Sequence, residues 1–204
     1  MRLAIIVLLS AAAARADGFR QITTAAPAGE KEDVLIEGEV EHGGYGGPRV
    51  AYGRVAGHDA IDVGAEGGWI VNHHFILGGA GYGLVTSQPA PGVLATTDDL
   101  RMGYGGGMIG YTIFPQRLVH ATFTVLIGAG ALASQPHLGT ATNDLADSFF
   151  VCEPAATMDV NVARHFRFGL AVSYRFVRGV DTSGLSNGDL SGVFGSAILK
   201  FGKF

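Results

Sequence analysis

The chain has 204 residues, enough for one domain or one small barrel, with a net charge of −4 and only 16% charged residues. An isoelectric point near 5.9 excludes the electrostatic footprint of a nucleic-acid binder. Mean hydropathy of +0.29, 48% hydrophobic residues and 32 glycines without a Gly-X-Y period exclude collagen and point to a sheet that faces lipid.

The chain opens on a secretory signal: Arg2 is the positive start, 3–9 the apolar core, and Ala14-Arg15-Ala16 a cleavage site. Residues 1–16 are therefore expected to be removed, leaving Asp17 first. The apolar core is shorter than the ~20 residues of a spanning helix. Cys152 is the only cysteine, so no internal disulfide forms. Residues 17–33 hold Ala-Ala-Pro-Ala-Gly (25–29) and the run Glu30-Lys31-Glu32-Asp33 without periodicity, and read as a periplasmic leader.

From Val34 onward apolar and polar residues alternate with period two. The pattern is clearest in 148–163, where Phe150, Cys152, Pro154, Ala156, Met158, Val160 and Val162 share one face. It recurs in 166–178, with Phe166, Phe168, Leu170, Val172, Tyr174 and Phe176 together. Eight strands are predicted, at 34–55, 59–71, 74–87, 99–114, 118–132, 148–163, 166–178 and 190–204. The run Gly43-Gly44-Tyr45-Gly46-Gly47-Pro48 is expected to bend or bulge the first. A break there would instead give nine or ten short strands. The turns Asn72-His73, Pro115-Gln116-Arg117 and Arg164-His165 are short, whereas the links near 88–98, 133–147 and 179–189 are long. Only Ala56-Gly57-His58 departs from that alternation. Short periplasmic turns, long outer loops and an even strand count describe a transmembrane antiparallel up-and-down β-barrel of the Gram-negative outer membrane, closed so that every backbone group is paired. Trp69, Tyr82, Tyr104, Tyr111, Phe114, Phe166 and Phe168 are expected in its interfacial girdles.

The glycine and aromatic motifs at 43–48, 67–73 and 78–83, together with Ser173-Tyr174-Arg175-Phe176-Val177 and the ending Phe201-Gly202-Lys203-Phe204, resemble those of a group of small bacterial outer-membrane barrels without an assigned activity. The architecture is similar to the eight-stranded OmpA and OmpX type. The resemblance spans 34–204. It implies that Phe204 belongs to the signal read by the outer-membrane insertion machinery. The match is imperfect at the end, because Gly202 and Lys200 stand in the phase of Phe204, while Phe201, Leu199 and Ala197 stand in the other. A terminal bulge is expected to reconcile them.

The inward phase gathers Glu37, Glu39, Glu41, Asp62, Glu66, Arg101, Glu153, Asp159, Arg167 and Arg175, with Arg49 a further candidate. If the last hairpin but one turns near Arg164-His165, Glu153 faces Arg175. A lone buried charge is very costly, so these groups are expected to form an interior ion network that fills the lumen and holds the register. A substrate- or proton-conducting lumen is the competing possibility. Seven histidines show no zinc-like spacing. His42 with Ser148 could be drawn into a lipid deacylase, but no motif supports it. The glycine clusters lack the strand–turn–helix setting of a nucleotide site. The expectation is a non-catalytic outer-membrane protein without cofactor or metal. It would have a structural or surface-interaction role through its outer loops. Its partners would be membrane lipid and the insertion machinery, not nucleic acid, with the outer partner unreadable. An outer-membrane lipid-modifying enzyme, or a soluble periplasmic barrel that binds an apolar ligand, would also accommodate the pattern.

Overall fold

Alternation becomes pairing in the computed structural model, which describes residues 40–86, 98–136, 147–181 and 185–204. Eight antiparallel strands follow in chain order: β1 (His42–Val55), β2 (His58–Val71), β3 (Phe75–Leu84), β4 (Asp98–Ile113), β5 (Val119–Pro136), β6 (Asp147–Ala163), β7 (Phe166–Arg178) and β8 (Gly192–Lys203). Each pairs with its sequence neighbours, and β8 returns to β1, so the sheet is a closed barrel. Closure leaves no unpaired edge. The predicted signal at 1–16, the leader at 17–33 and the first part of the predicted first strand lie outside the described residues, as does most of the long links.

Three local expectations give way. The run 43–48 neither bends nor bulges β1, which pairs with β2 in one register from His42 opposite Val71 to Val55 opposite His58. On the β8 side, between Gly44 and Tyr52, only Gly47 and Pro48 drop out of the ladder, Pro48 having no N–H to donate. A Cβ at Gly47 would lie 1.6 Å from the Leu199 carbonyl oxygen, so the glycine is there for close strand approach. The chain end carries no bulge either, since Phe166 faces Phe201 and Arg175 faces Gly192 in one register. Phe204 therefore stays in the inward phase, stacked on Tyr45 at 6.3 Å and beneath the Arg167 guanidinium at 3.9 Å. Thirdly, the link after β7 contains a single helical turn, α1 (Asn187–Leu190), whose Leu190 is buried.

Turn chemistry separates the two ends of the barrel. Ala56 and Gly57, at φ 51° and 80°, join β1 to β2 in a two-residue turn with both central residues left-handed, the geometry that matches strand twist. Asn72 and His73, at φ 50° and 60°, are likewise left-handed in the three-residue link 72–74 between β2 and β3 at the opposite end. That second end also holds the 114–118 and 164–165 turns and Phe204. The β6–β7 hairpin contains the one register shift among the described residues, between Asn161 and Ala163. Asn161 pairs with Arg167, and Ala163 with Phe166. Without that extra residue every side chain of one strand would face the wrong way.

The faces are sorted by period two. Outward stand Val50, Tyr52, Val63, Leu77, Ile109, Phe123, Ile127, Met158, Leu170, Val172 and Phe176, all exposed. Inward stand the charged and hydroxylic residues of the same strands. A soluble barrel would show the reverse, with its apolar face inside. Tyr82 and Tyr104 are not girdle residues, being only 6% and 5% exposed inside the barrel, whereas Trp69, Tyr111 and Phe114 do face outward. The two tyrosines lie in the even, inward phase of β3 and β4, and an inward aromatic looks like a girdle residue when position along the strand is read without phase.

Candidate functional site

The lumen is filled in layers. At the end bearing α1, Val55, Ala60, Val151, Val177, Leu190 and Phe194 form an apolar stopper, each at most 2% exposed. The helix is tied down over it: the Ala56 N–H donates to the Asp189 carbonyl at 2.7 Å, and the Val177 N–H to Ser191 Oγ at 3.0 Å. The Ser186 Oγ–H and N–H donate to Asp189 Oδ2 at 2.7 and 2.8 Å. Those two bonds, the hydroxyl first, hold the Asp189 carboxyl below its ordinary pKa. Interior glycines make room for the rings, and a Cβ on Gly53 would come within 2.4 Å of the Phe194 ring.

Below the stopper lies an ion network that crosses the lumen. Cys152 opposite Phe176 and Ala155 opposite Ser173 bracket Glu153 and Arg175 on neighbouring strands, and Arg175 Nε lies 3.5 Å from Glu153 Oε2. Arg175 also pairs with Asp62 on β2, across the barrel, and donates to Tyr104 Oη at 2.7 Å. Its guanidinium is held between the Tyr104 and Phe194 rings, 4.3 and 3.9 Å from their centres. From β1, Arg49 donates to Glu153 Oε1 at 2.7 Å, to Ser173 Oγ at 3.1 Å and to Tyr82 Oη at 3.0 Å. Tyr45 and Tyr82 then donate to the two oxygens of Glu66 at 3.2 and 3.1 Å. Side chains from β1, β2, β3, β4, β6 and β7 thus converge on one cluster.

A second pair lies nearer Phe204. Lys200 Nζ stands 2.9 Å from Asp159 Oδ1, while Thr122 donates to Asp159 Oδ2 at 2.7 Å. The Tyr45 ring, 5.2 Å from Lys200 Nζ, joins this pair to the central cluster. Among the buried side chains of the described residues three cations, Arg49, Arg175 and Lys200, face four carboxylates.

The ten charges expected inside are sorted as follows. Asp62, Glu66, Glu153, Asp159 and Arg175 are buried in the lumen. Arg167 points into the mouth over Phe204 but stands apart from the central cluster. Glu41 is not an interior group. It is exposed ahead of β1, with Oε2 2.5 Å from His73 Nε2. Arg101 is not interior either. It lies on the exposed, odd phase of β4 with Ile109 and Tyr111, and the inward phase there begins one residue later at Met102. Glu37 and Glu39 lie outside the described residues. Sequence reasoning misses Lys200 and the tyrosines. The signal for Lys200 is present, as a polar residue in the phase of Phe204, but an expected terminal bulge conceals it.

Other chemistry does not assemble among the described residues. His42 opposite Val71 and Ser148 opposite Ala131 lie at opposite ends of the barrel, so they cannot act together. His73 turns to Glu41, while His74 donates from Nδ1 to the Thr112 carbonyl at 2.7 Å, so the two imidazoles diverge. Among the described residues no group of three His, Cys, Asp or Glu could hold a metal.

This is an eight-stranded antiparallel up-and-down barrel with an apolar outer wall and a polar, plugged interior. No family model and no curated protein sequence matches the chain. Among solved structures the chain is similar to Neisserial surface protein A (NspA), with a TM-score of 0.51 and 11% identity over 81% of this chain and 97% of that one. Ail, the attachment invasion locus protein of Yersinia pestis, aligns at a TM-score of 0.46 and 12% identity over 79% of this chain and 95% of that one. The likeness to NspA is one of fold.

Proposed function

We propose that this chain is an integral outer-membrane protein with a lumen sealed by its own side chains, and that it acts at the cell surface rather than by conduction or catalysis. One observation carries the reading. An apolar wall encloses a cluster in which Arg49 and Arg175 tie together strands from opposite sides of the lumen. The apolar wall suits hydrocarbon, and an eight-stranded interior is just wide enough to be filled by side chains. The resident charges and the α1 stopper occupy the path that an ion or substrate would take. What remains for function is the end carrying α1 and the long links, where binding residues concentrate in scaffolds of this kind. NspA, which shares the fold, is by its name a surface protein.

The test is fractionation of the expressed full chain, with boiled and unboiled samples compared on a denaturing gel, followed by reconstitution in planar bilayers. Outer-membrane recovery, a mobility shift on boiling and no steady conductance are expected. Recovery in the soluble periplasmic fraction would overturn the membrane reading, and open channels would overturn the sealed lumen.

A further inference from the structure

The outer wall is not uniform. On the half nearer Phe204 an apolar groove of about 480 Å³ runs across β3, β4 and β5, within the range of small-ligand sites. Phe75, Leu77, Ile109, Tyr111, Phe123 and Val125 line it. Its aromatic rim is ordered: Phe75 meets Tyr111 edge-on at 5.0 Å, and His74 stacks on Tyr111 at 5.4 Å. Because the Thr112 carbonyl can only accept, His74 donates its Nδ1–H there.

At the end of the groove the β4–β5 turn presents a cation. Phe114, left-handed at φ 55°, reverses the chain, and its carbonyl accepts from the Arg117 N–H at 3.0 Å. The Arg117 guanidinium lies over the Phe114 ring at 4.4 Å. A cation on an exposed aromatic at a barrel rim sits at headgroup level, with the ring toward hydrocarbon. Tyr111 is three residues from Phe114, about 10 Å along an extended chain, which is the span from a phosphate to the first part of an acyl chain. Arg117, Arg164 and Lys203 are all exposed at this rim, where the Glu41 carboxylate is engaged by His73.

We propose that the groove and Arg117 form a binding site for one anionic glycerophospholipid, with an acyl chain along Leu77, Ile109 and Phe123 and the phosphate on Arg117. The end with the short turns, the start of β1 and Phe204 is the periplasmic one in barrels of this type, which places the lipid in the periplasmic leaflet and makes it a phospholipid rather than a surface glycolipid. The site rests on the membrane reading above.

The chain supplies its own reporter. Trp69 is its one tryptophan, faces outward, and pairs with Leu77 of the groove. The experiment places the full chain in phosphatidylcholine vesicles and titrates in dibrominated phosphatidylglycerol or dibrominated phosphatidylcholine, reading the quenching of Trp69. Half-quenching is expected at about a fivefold lower fraction of the anionic lipid, the weight of one basic residue against an anionic headgroup. Arg117→Gln is expected to abolish the preference and Arg164→Gln to keep it. Ile109→Phe, which fills the groove and leaves the rim charge in place, is expected to lower it. Equal quenching by both lipids, or a preference that survives Arg117→Gln or is untouched by Ile109→Phe, would overturn the site. Absence of quenching by either lipid would instead overturn the membrane reading itself.

Discussion

Replacing Glu153 by glutamine puts the central cluster to its most direct test. The carboxylate accepts from Arg49 Nη2 at 2.7 Å, Ser173 Oγ at 2.8 Å and Tyr104 Oη at 2.8 Å, with Arg175 Nε at 3.5 Å. Glutamine keeps the shape but removes the charge and turns one oxygen into a donor. Pointed at Oε1, the new amide would face Arg49 and Ser173. Pointed at Oε2, it would face Tyr104, whose oxygen already accepts from Arg175 Nη2 at 2.7 Å. Either way two buried guanidinium groups lose the anion they share. Breaking a buried pair from one side costs ~3–5 kcal/mol. At a slope of ~2 kcal/mol per molar, that moves the urea midpoint down by about 2 M. The assay is urea unfolding of the barrel in lipid vesicles, followed by the loss of the unboiled gel band. Glu41→Gln is the control, since it breaks an exposed pair worth ~0–1 kcal/mol. The double variant Glu153→Gln/Arg175→Gln should fall short of the summed single effects, because both act on one cluster. A Glu153→Gln midpoint equal to that of Glu41→Gln would refute the claim that the lumen charges hold the barrel together.

The second pair should behave as a unit: Lys200→Met leaves Asp159 buried without its cation and should cost about 3 kcal/mol, and adding Asp159→Asn should restore most of it in the same urea assay. Gly53→Ala drives a methyl into the Phe194 ring and should lose ~1–3 kcal/mol, with partial recovery in Gly53→Ala/Phe194→Leu. The Asp189 carboxyl is depressed by its bonds from Ser186, so its contribution to seating α1 is full above the ordinary carboxylate pKa and is lost as pH falls through the lower folded value. Below about pH 4 the protection factor of the Ala56 amide, bonded to the Asp189 carbonyl, should therefore fall, and Asp189→Asn should flatten that pH dependence.

Alternation alone places β2 to β8 and the end of β1 within a few residues and assigns the faces of β5, β6 and β7, because a strand's side chains reverse at every residue and one face must be apolar. It also puts Asp62, Glu66, Glu153, Asp159 and Arg175 inside. It fails where phase has to be known to one residue. Arg101 and Met102 differ by a single step along β4, and the charge that looks inward in the sequence faces out. Lys200 is passed over because the phase of Phe204 is expected to be lipid-facing, and here that phase points into the lumen. Partnership across the barrel is beyond the sequence altogether. Arg49 meets Glu153 at a separation of 104 residues, and Arg175 meets Asp62 at 113. No local period links such residues. Strand order, the one-residue shift at Asn161–Ala163 and the closure of β8 on β1 together set which side chains share a level of the lumen. Period two decides which way a side chain points; only the closed barrel decides what it meets there.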